Sequence, residues 1–202
     1  TPGSLVAWGN NTYGQLSVPA GSDFVAVDSS FWWHSIALRS DGSLVAWGGN
    51  HPEAATLVPS GNDFTAVSAG SYYNLALRRD GSLAAAGEIS TGALAVPSGN
   101  DFVAIAAGAL LGTAIRNDGS IVEWGPQRLG APSGTGFAAV DLGAGHAVAL
   151  KQDGSLASWG TNDYGLIDEV PTGSDFVEIA AGLSHSLALR SDGSIIAWGD
   201  DR

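Results

Sequence analysis

Short apolar segments bounded by glycine recur along the whole chain. One unit contains three of them: residues 176 to 180, 185 to 190 and 194 to 198. Each is five or six residues long and rich in Val, Ile, Leu, Ala or aromatic residues. This length and composition predict β-strands, since the 3.6-residue periodicity of an amphipathic helix is missing. We expect an all-β fold.

The segments are arranged in a repeat. Asp-Gly-Ser, with Pro2-Gly3-Ser4 as a degenerate first copy, places its glycines at positions 3, 42, 81, 119, 154 and 193, which are 39, 39, 38, 35 and 39 residues apart. Because Asp-Gly tolerates positive φ, each Ser-Asp-Gly-Ser predicts a two-residue hairpin with a type I′ turn. A unit of this length with three or four strands predicts a β-propeller, in which sheets are arranged radially.

We therefore predict one β-propeller domain over residues 1–202, with about five blades of about 39 residues. The repeat units are approximately 3–41, 42–80, 81–118, 119–153 and 154–192, followed by a terminal strand at 193–202. The first two strands occur five times and the third six times, because Leu5 to Trp8 duplicates Ile195 to Trp198. A fragment of a larger propeller, a five-blade ring with a spare strand, and use of that strand in an oligomer all stay open.

Composition and charge limit the partners. The chain carries 20 acidic and 8 basic residues, for a net charge of −12. Nucleic acid is excluded as a partner because phosphates are held by Lys and Arg, and no apolar run reaches the ~18 residues of a membrane span. The absence of Cys excludes disulfides and thiolate metal sites. The absence of Met indicates that Thr1 is not a translation start, so we expect a removed targeting segment or a longer protein.

Three sequence motifs resemble the regulator of chromosome condensation repeat family. They are Ala-Gly-x-x-His-Ser-Leu-Ala-Leu, Asp-Gly-Ser-Leu-Val-Ala-Trp-Gly, and the stretch from Gly9 to Leu16. The Val-Pro segments, such as Val18-Pro19 and Val170-Pro171, are more similar to a bacterial branch that includes the propeller-type β-lactamase inhibitory protein. The resemblance implies a propeller, commonly of about seven blades, and an extracellular or cell-surface bacterial protein.

Residues that recur in every unit are interpreted as structural. His34, His146 and His185 share one repeat position, but Tyr73 and Leu111 fill it in the other units, so we predict no metal site there. The recurrent Trp at the end of the third strand is interpreted as packing between blades. The basic residue that ends the second strand should pair with turn carboxylates or carbonyls. No catalytic constellation stands out from the repeat, so we predict no enzyme and no cofactor.

Residues that break the repeat are the functional candidates. The loop between first and second strands has one extra residue in its first copy, Ser30 to Trp33, and is aromatic there and in the next copy. We expect these loops to emerge on one face, where clustered aromatics would form a binding hot spot; the alternative is that several of them plug the channel as core. In the inhibitor that the chain resembles, aromatic residues on equivalent loops contact the enzyme. The predicted partner-binding residues are Phe31, Trp32, Trp33, Tyr72, Tyr73, Leu110, Leu111 and Leu183.

These features predict a non-enzymatic module, inhibitor-like or adhesive, that binds another protein through one propeller face. Two alternatives stay open. The spare strand could serve assembly into a homo-oligomer, since unpaired strand edges invite strand addition. The aromatic loops could instead bind a glycan, because sugars stack on Trp and Tyr.

Overall fold

The structure is a computed structural model that describes residues 1–30, 33–49, 57–87 and 92–200. This part of the chain contains fifteen strands, which form five three-stranded antiparallel sheets. The strands are β1 (Phe24–Ser29), β2 (His34–Arg39), β3 (Leu44–Gly48), β4 (Phe64–Ala69), β5 (Tyr73–Arg78), β6 (Leu83–Gly87), β7 (Phe102–Ala107), β8 (Gly112–Arg116), β9 (Ile121–Trp124), β10 (Phe137–Leu142), β11 (His146–Lys151), β12 (Leu156–Gly160), β13 (Phe176–Ala181), β14 (His185–Arg190) and β15 (Ile195–Gly199).

The five sheets are the blades of a propeller, which confirms the predicted fold. Each blade consists of three consecutive strands in the order first, second, third, and we number the blades 1 to 5 along the chain. The first strand of each blade contacts the first strand of the next, so the first strands lie innermost and the third strands at the outer edge. Among the described residues, no helix has the length and apolar character needed to cross a membrane.

The Asp-Gly turns differ from the type I′ hairpin that the sequence predicts. The Arg39 N–H donates to the Ser43 carbonyl at 2.9 Å, which leaves three residues in the loop. Gly42 alone takes a positive φ, of 84°, whereas a type I′ turn needs two such residues. Asp41 instead accepts hydrogen bonds from the Ser43 hydroxyl and N–H at 2.7 and 2.9 Å, which lower its pKa. The side-chain acceptor therefore closes the turn without left-handed strain at Asp41.

The base of four of the five blades is held by an Arg, an Asp and a Phe. In blade 1 the Arg39 guanidinium lies 4.4 Å from the ring centroid of Phe24 and 2.7 Å from Asp23 Oδ1. The carboxylate thus comes from the Asp-Phe start of the first strand, and not from the turn that we predicted. Blades 2, 3 and 5 repeat this arrangement. Blade 4 has Lys151 over Phe137 and Gly136 where the Asp would stand.

The hydrophobic core lies between blades. Alternate residues of each second strand point toward the next blade, and we call this side the next-blade face. In blade 1 it carries Ile36 and Leu38, which are fully buried because Phe64 and Ala76 of blade 2 pack against this region. The small Ala on the opposite side lets the neighbouring sheet approach closely. The recurrent Trp side chains of β3, β9, β12 and β15 are likewise buried, as predicted, whereas for Trp8, the copy before blade 1, the prediction is wrong because it is 85% exposed.

Two polar positions add hydrogen bonds across the blade interfaces. His34 lies two residues before Ile36, on the same next-blade face of β2. Its Nε2 forms a hydrogen bond with Asn74 Oδ1 of blade 2 at 3.1 Å. His146 Nε2 bonds Ser186 Oγ of blade 5 at 2.7 Å. Burial lowers the pKa of both histidines, which keeps them neutral near pH 7. These side chains are therefore part of the blade framework.

On the first strands, side-chain oxygens accept backbone N–H groups of the following blade. Asp28 Oδ2 accepts from Ala69 at 2.9 Å, Ser68 Oγ accepts from Ala107 at 3.1 Å, and Asp141 Oδ2 accepts from Ala181 at 2.7 Å. Each N–H group lies at the end of a first strand, where the sheet pairing stops. The acceptors thus continue the backbone bonding near the propeller axis.

Residues Leu5 to Trp8 do not form the strand that the sequence predicts. In the described part of the chain, the one strand-like link to blade 1 is a backbone pair just before this segment, between Gly3 and Phe24. The physical reason is that no second strand lies beside it in the described part of the chain, and a strand without a neighbour leaves its backbone groups unpaired.

The buried carboxyl of Asp141 should make stability depend on pH. Burial raises the pKa of the Asp141 carboxyl to about 6, although hydrogen bonds from two backbone N–H groups act to lower it. The folded state therefore binds a proton that the unfolded state lacks between about pH 6 and about pH 4. Relative to the Asp141→Asn variant, the wild type should gain about 1 to 3 kcal/mol of unfolding free energy as the pH falls from about 7 to about 4. Denaturant titrations at several pH values measure this difference.

The comparison with the variant is needed because the lowered pKa values of His34 and His146 reduce stability as the pH falls below about 6.5. Asp141→Ser, which keeps an acceptor as Ser68 does in blade 2, should follow Asp141→Asn. A wild-type profile parallel to both variants would contradict the assignment.

Candidate partner-binding surface

The extra residue in the loop between β1 and β2 produces an unusual backbone at Trp33. The Ser30 N–H donates to the His34 carbonyl at 2.9 Å, so three residues connect the two strands. In blades 2 to 5 the equivalent bond, such as Gly70 N–H to the Tyr73 carbonyl, encloses only two. Three-residue hairpin loops place their last residue in the left-handed region, a site that favours Gly. In blade 1 the last residue of the loop is Trp33, whose φ is 75°.

Trp33 forms an exposed aromatic pair with Tyr13. The ring centroids are 4.9 Å apart and the planes are inclined by 39°. Both residues are more than a third exposed, at 37% and 39%. The turn that carries Tyr13 is fixed from below, because the Trp47 indole N–H donates to the Gln15 carbonyl at 3.0 Å. The pair is thus a large apolar surface on a braced backbone.

Two predicted binding residues are core residues instead. Tyr73 is fully buried between blades 2 and 3, and its hydroxyl donates to the Leu111 carbonyl at 2.6 Å. Leu111 is buried against blade 4. Their expected exposure is wrong because both occupy the repeat position of His34, which points at the next blade. Both residues are core, but they lie between adjacent blades and not in the central channel, where the alternative interpretation placed them.

The other predicted residues lie at the loops themselves. Tyr72 and Leu110 are half-buried, and Leu183 is 62% exposed. Phe31 and Trp32 lie outside the described residues. A groove of about 190 Å³ runs over the loops of blades 3 and 4 and is lined by Leu111, Leu129 and several Gly and Ala residues. The structure thus brings Trp33 together with Tyr13, and does not pair it with Tyr73.

Sequence reasoning missed Tyr13. It lies in the segment Gly9 to Leu16, which we took only as a family motif. The equivalent turn before blade 5 carries Tyr164, which is 52% exposed and lies in a short 3-10 helix, Asp163–Gly165. Two tyrosines at one turn position were a signal in the sequence, but their proximity to the β1–β2 loop depends on the fold.

The comparisons with known proteins agree with the fold. A model described as "Regulator of chromosome condensation (RCC1) repeat" matches residues 24–51, 137–166 and 176–202. The propeller thus contains RCC1-type repeats in these three places. No curated protein matches this propeller by sequence.

Three of the solved structures that are similar to this chain illustrate the likeness. The CRINKLY WD40 ectodomain of the Arabidopsis thaliana receptor kinase ACR4 has a TM-score of 0.78 and 25% identity, over 95% of this chain and 72% of that one. The ectodomain of the Physcomitrella patens receptor kinase CR4 has a TM-score of 0.76 and 22% identity, over 96% of this chain and 55% of that one. Prp20p from Saccharomyces cerevisiae has a TM-score of 0.71 and 18% identity, over 87% of this chain and 57% of that one. The propeller therefore spans just over half the length of the last two.

A conservative change should separate the core tyrosine from the surface tyrosine. Tyr73→Phe removes the buried hydroxyl and should lower the free energy of unfolding by about 1 kcal/mol, since the Leu111 carbonyl loses a donor. Tyr13→Phe keeps the ring against Trp33 at an exposed site and should change it by less than about 0.5 kcal/mol. Urea unfolding of both variants measures the difference. Equal effects would contradict the assignment of Tyr73 to the core.

Proposed function

We propose that this chain is a non-enzymatic module that binds another protein through the face that carries Tyr13 and Trp33. The observation that carries the proposal is the exposed Trp33 in a left-handed backbone conformation. A bulky side chain at such a φ costs of order 1–3 kcal/mol, and such strain clusters at sites of function. Folding alone does not require it, because the other four blades use the shorter loop.

The chemistry of the surface suits a protein partner. Trp and Tyr bury much area at a small cost in side-chain entropy, which is why they dominate binding hot spots. In blades 2 and 3 the Trp33 position is occupied by Tyr72 and Leu110, which are half-buried. The exposed Phe31 and Trp32 that we predicted from the sequence would enlarge the surface.

A catalytic role finds no support in the titratable groups. Perturbed pKa values cluster at functional sites, and structural contacts also produce them. Every described group with a shifted pKa here lies in a repeated contact: the Asp-Gly turns, the buried His34, Tyr73 and His146 at blade interfaces, and Asp141 on a first strand. Each shift follows from burial or from turn hydrogen bonds.

The similar structures support a protein partner and an extracellular site. Prp20p is described with its binding properties to Gsp1p and histones, so this fold can present a protein-binding surface. The two plant proteins are receptor kinase ectodomains. We propose by this likeness that the chain works outside the cell or at its surface; its inhibitor-like or adhesive character and its bacterial origin stay predictions.

The test removes the Trp33 ring without removing the fold. Trp33→Gly relieves the left-handed strain, so the unfolding free energy should change by less than about 1 kcal/mol. Partner proteins are captured on the immobilised wild type from secreted proteins of the source organism, identified by mass spectrometry and purified. The affinity of each should fall at least about tenfold for Trp33→Gly and for Tyr13→Ala.

Val103→Ala is the matched control, because Val103 is 50% exposed and lies on β7 in blade 3, whereas Trp33 belongs to blade 1. It should leave every affinity unchanged. Partners that bind wild type and Trp33→Gly equally well would contradict the proposal. A glycan array run with the same variants detects the alternative: sugar binding that depends on Trp33, without any protein partner, would replace it.

A further inference from the structure

Blade 4 differs from the other blades at its base. In blades 1, 2, 3 and 5 an Asp carboxylate pairs with an Arg guanidinium at 2.5 to 2.7 Å. In blade 4, Gly136 stands in place of the Asp and Lys151 in place of the Arg. This blade therefore lacks the carboxylate but keeps the cation.

The Lys151 ammonium has no anionic partner among the described residues. Its Nζ lies 5.9 Å from the ring centroid of Phe137, and it takes part in none of the ion pairs that the described part of the chain forms. The residue is half-buried, at the end of β11. A cation that has lost part of its hydration is stabilised by an anion placed beside it.

The neighbouring turn carboxylate, Asp153, does not replace the missing partner. It accepts hydrogen bonds from the Ser155 hydroxyl and N–H at 2.6 and 2.9 Å, and these bonds lower its pKa more than the charge of Lys151 does. The Asp-Gly turns of blades 1, 2, 3 and 5 make the same bonds although the Arg beside them also has its own Asp. The turn carboxylate is thus a constant feature of the repeat.

The space that the ion pair fills in the other blades is open in blade 4. At Gly61 of blade 2, a Cβ atom would lie 2.9 Å from Asp63 Oδ1 and 3.0 Å from Arg78 Nη1. The equivalent glycine of blade 4 is Gly134, which also has a positive φ, of 111° against 133°. A Cβ atom there would have no described heavy atom within 4 Å apart from its neighbours in sequence, and the same holds at Gly136. The surrounding chain has therefore not moved in to fill the space.

A cavity of about 450 Å³ lies at this place. This volume is within the range of about 300 to 1,000 Å³ that is typical of small-molecule sites. Besides the lysine, its lining includes the neutral polar residues Ser133, Thr135 and Gln152, and the apolar residues Phe137 and Ala157. The cavity thus combines one cation with hydrogen-bonding groups and an apolar wall.

Negative charges nearby limit the ligand to a single carboxylate. Asp153 lines the same cavity, and the whole chain carries a net charge of −12. A second carboxylate on the ligand would be repelled by both, whereas the first is attracted by Lys151 at close range. Neutral hydroxyl or amide groups on the rest of the ligand suit the remaining lining.

We propose that the base of blade 4 binds a monocarboxylate, whose carboxylate takes the place of the Asp side chain beside Lys151. The group belongs either to a free organic acid or to an acidic side chain of a partner protein, and the size of the cavity favours the free acid. The site lies at the opposite end of β11 from the loop that precedes this strand. It shares no residue with the Tyr13 and Trp33 surface, so it stands or falls independently of the proposed function.

Acetate is the probe, because it is the missing Asp side chain without its backbone. The isotopically labelled chain is titrated with sodium acetate at pH 7 and compared with sodium chloride at equal ionic strength. Amide NMR signals of Gly134, Gly136 and Lys151 should shift saturably with acetate alone. A millimolar dissociation constant is expected, because one ion pair at a partly exposed site contributes little binding energy.

Replacement of the cation tests the role of Lys151. Lys151→Met keeps the length of the side chain and should raise the dissociation constant of acetate at least about fivefold, since the charge-assisted contact is lost. Lys151→Arg keeps the charge and should bind within about twofold of the wild type. Lys151→Gln is the second neutral variant, for use if the Met variant loses the dispersed spectrum of the folded chain. Acetate shifts that do not saturate, or an unchanged dissociation constant in a folded neutral variant, would overturn the proposal.

Blade 3 provides the matched controls. Arg116→Met removes the equivalent cation, whose carboxylate partner is Asp101 of the same chain, and should leave acetate binding at blade 4 unchanged. Asp101→Gly keeps Arg116 but removes its carboxylate, so it should create a second acetate site with shifts at Gly99. If acetate binding at blade 4 weakens equally in Arg116→Met and Lys151→Met, the effect is one of overall charge and the proposal is wrong.

A peptide distinguishes the two sources of the carboxylate. N-acetyl-Ala-Asp-Ala amide carries the group on a protein-like backbone, and N-acetyl-Ala-Asn-Ala amide is its neutral control. We expect the Asp peptide to bind no more tightly than acetate, which assigns the site to a free acid. Binding at least about tenfold tighter than acetate, lost in Lys151→Met and in the Asn peptide, would assign the carboxylate to a partner protein.

Discussion

Every blade of this propeller has a face that only another blade can cover. A three-stranded sheet of five- and six-residue strands cannot bury both sides by itself, so Ile36, Leu75, Ile115 and Val148 become core only when the following sheet lies on them. Small Ala residues on the opposite side of each second strand let the neighbouring sheet lie close to it. Interface hydrogen bonds from His34, His146, Asp28 and Asp141 follow the same direction around the axis. The stability of one blade is thus inseparable from that of the next.

This dependence explains where function can reside. Positions that face a neighbouring blade are constrained, which is why Tyr73 and Leu111 are buried although they stand beside loop residues. The loop tips and the turns before each blade carry no such constraint. Trp33 can therefore accept a strained backbone and meet Tyr13 at the surface without disturbing the sheet beneath it.

The same dependence explains why groups before blade 1 and on the next-blade face of blade 5 are exposed. Leu5 keeps the third-strand contact with blade 1, while Val6 and Trp8 extend into solvent, and blade 5 exposes Leu187 and Leu189. In the interior of the repeat each of these groups has a defined neighbour.

The sequence by itself determined the strands, the repeat and the propeller, because alternating apolar residues, Gly-bounded turns and a period near 39 residues are local or periodic signals. It also indicated the β1–β2 loop, whose extra residue is visible as a break in the repeat. Only the tertiary structure decided which loop aromatics are exposed, because burial depends on the face that the adjacent blade covers. Tyr72 and Tyr73 are neighbours in sequence, yet one lies at the loop and the other in the core. The pairing of Tyr13 with Trp33 joins residues of two segments, and no local pattern predicts such a contact.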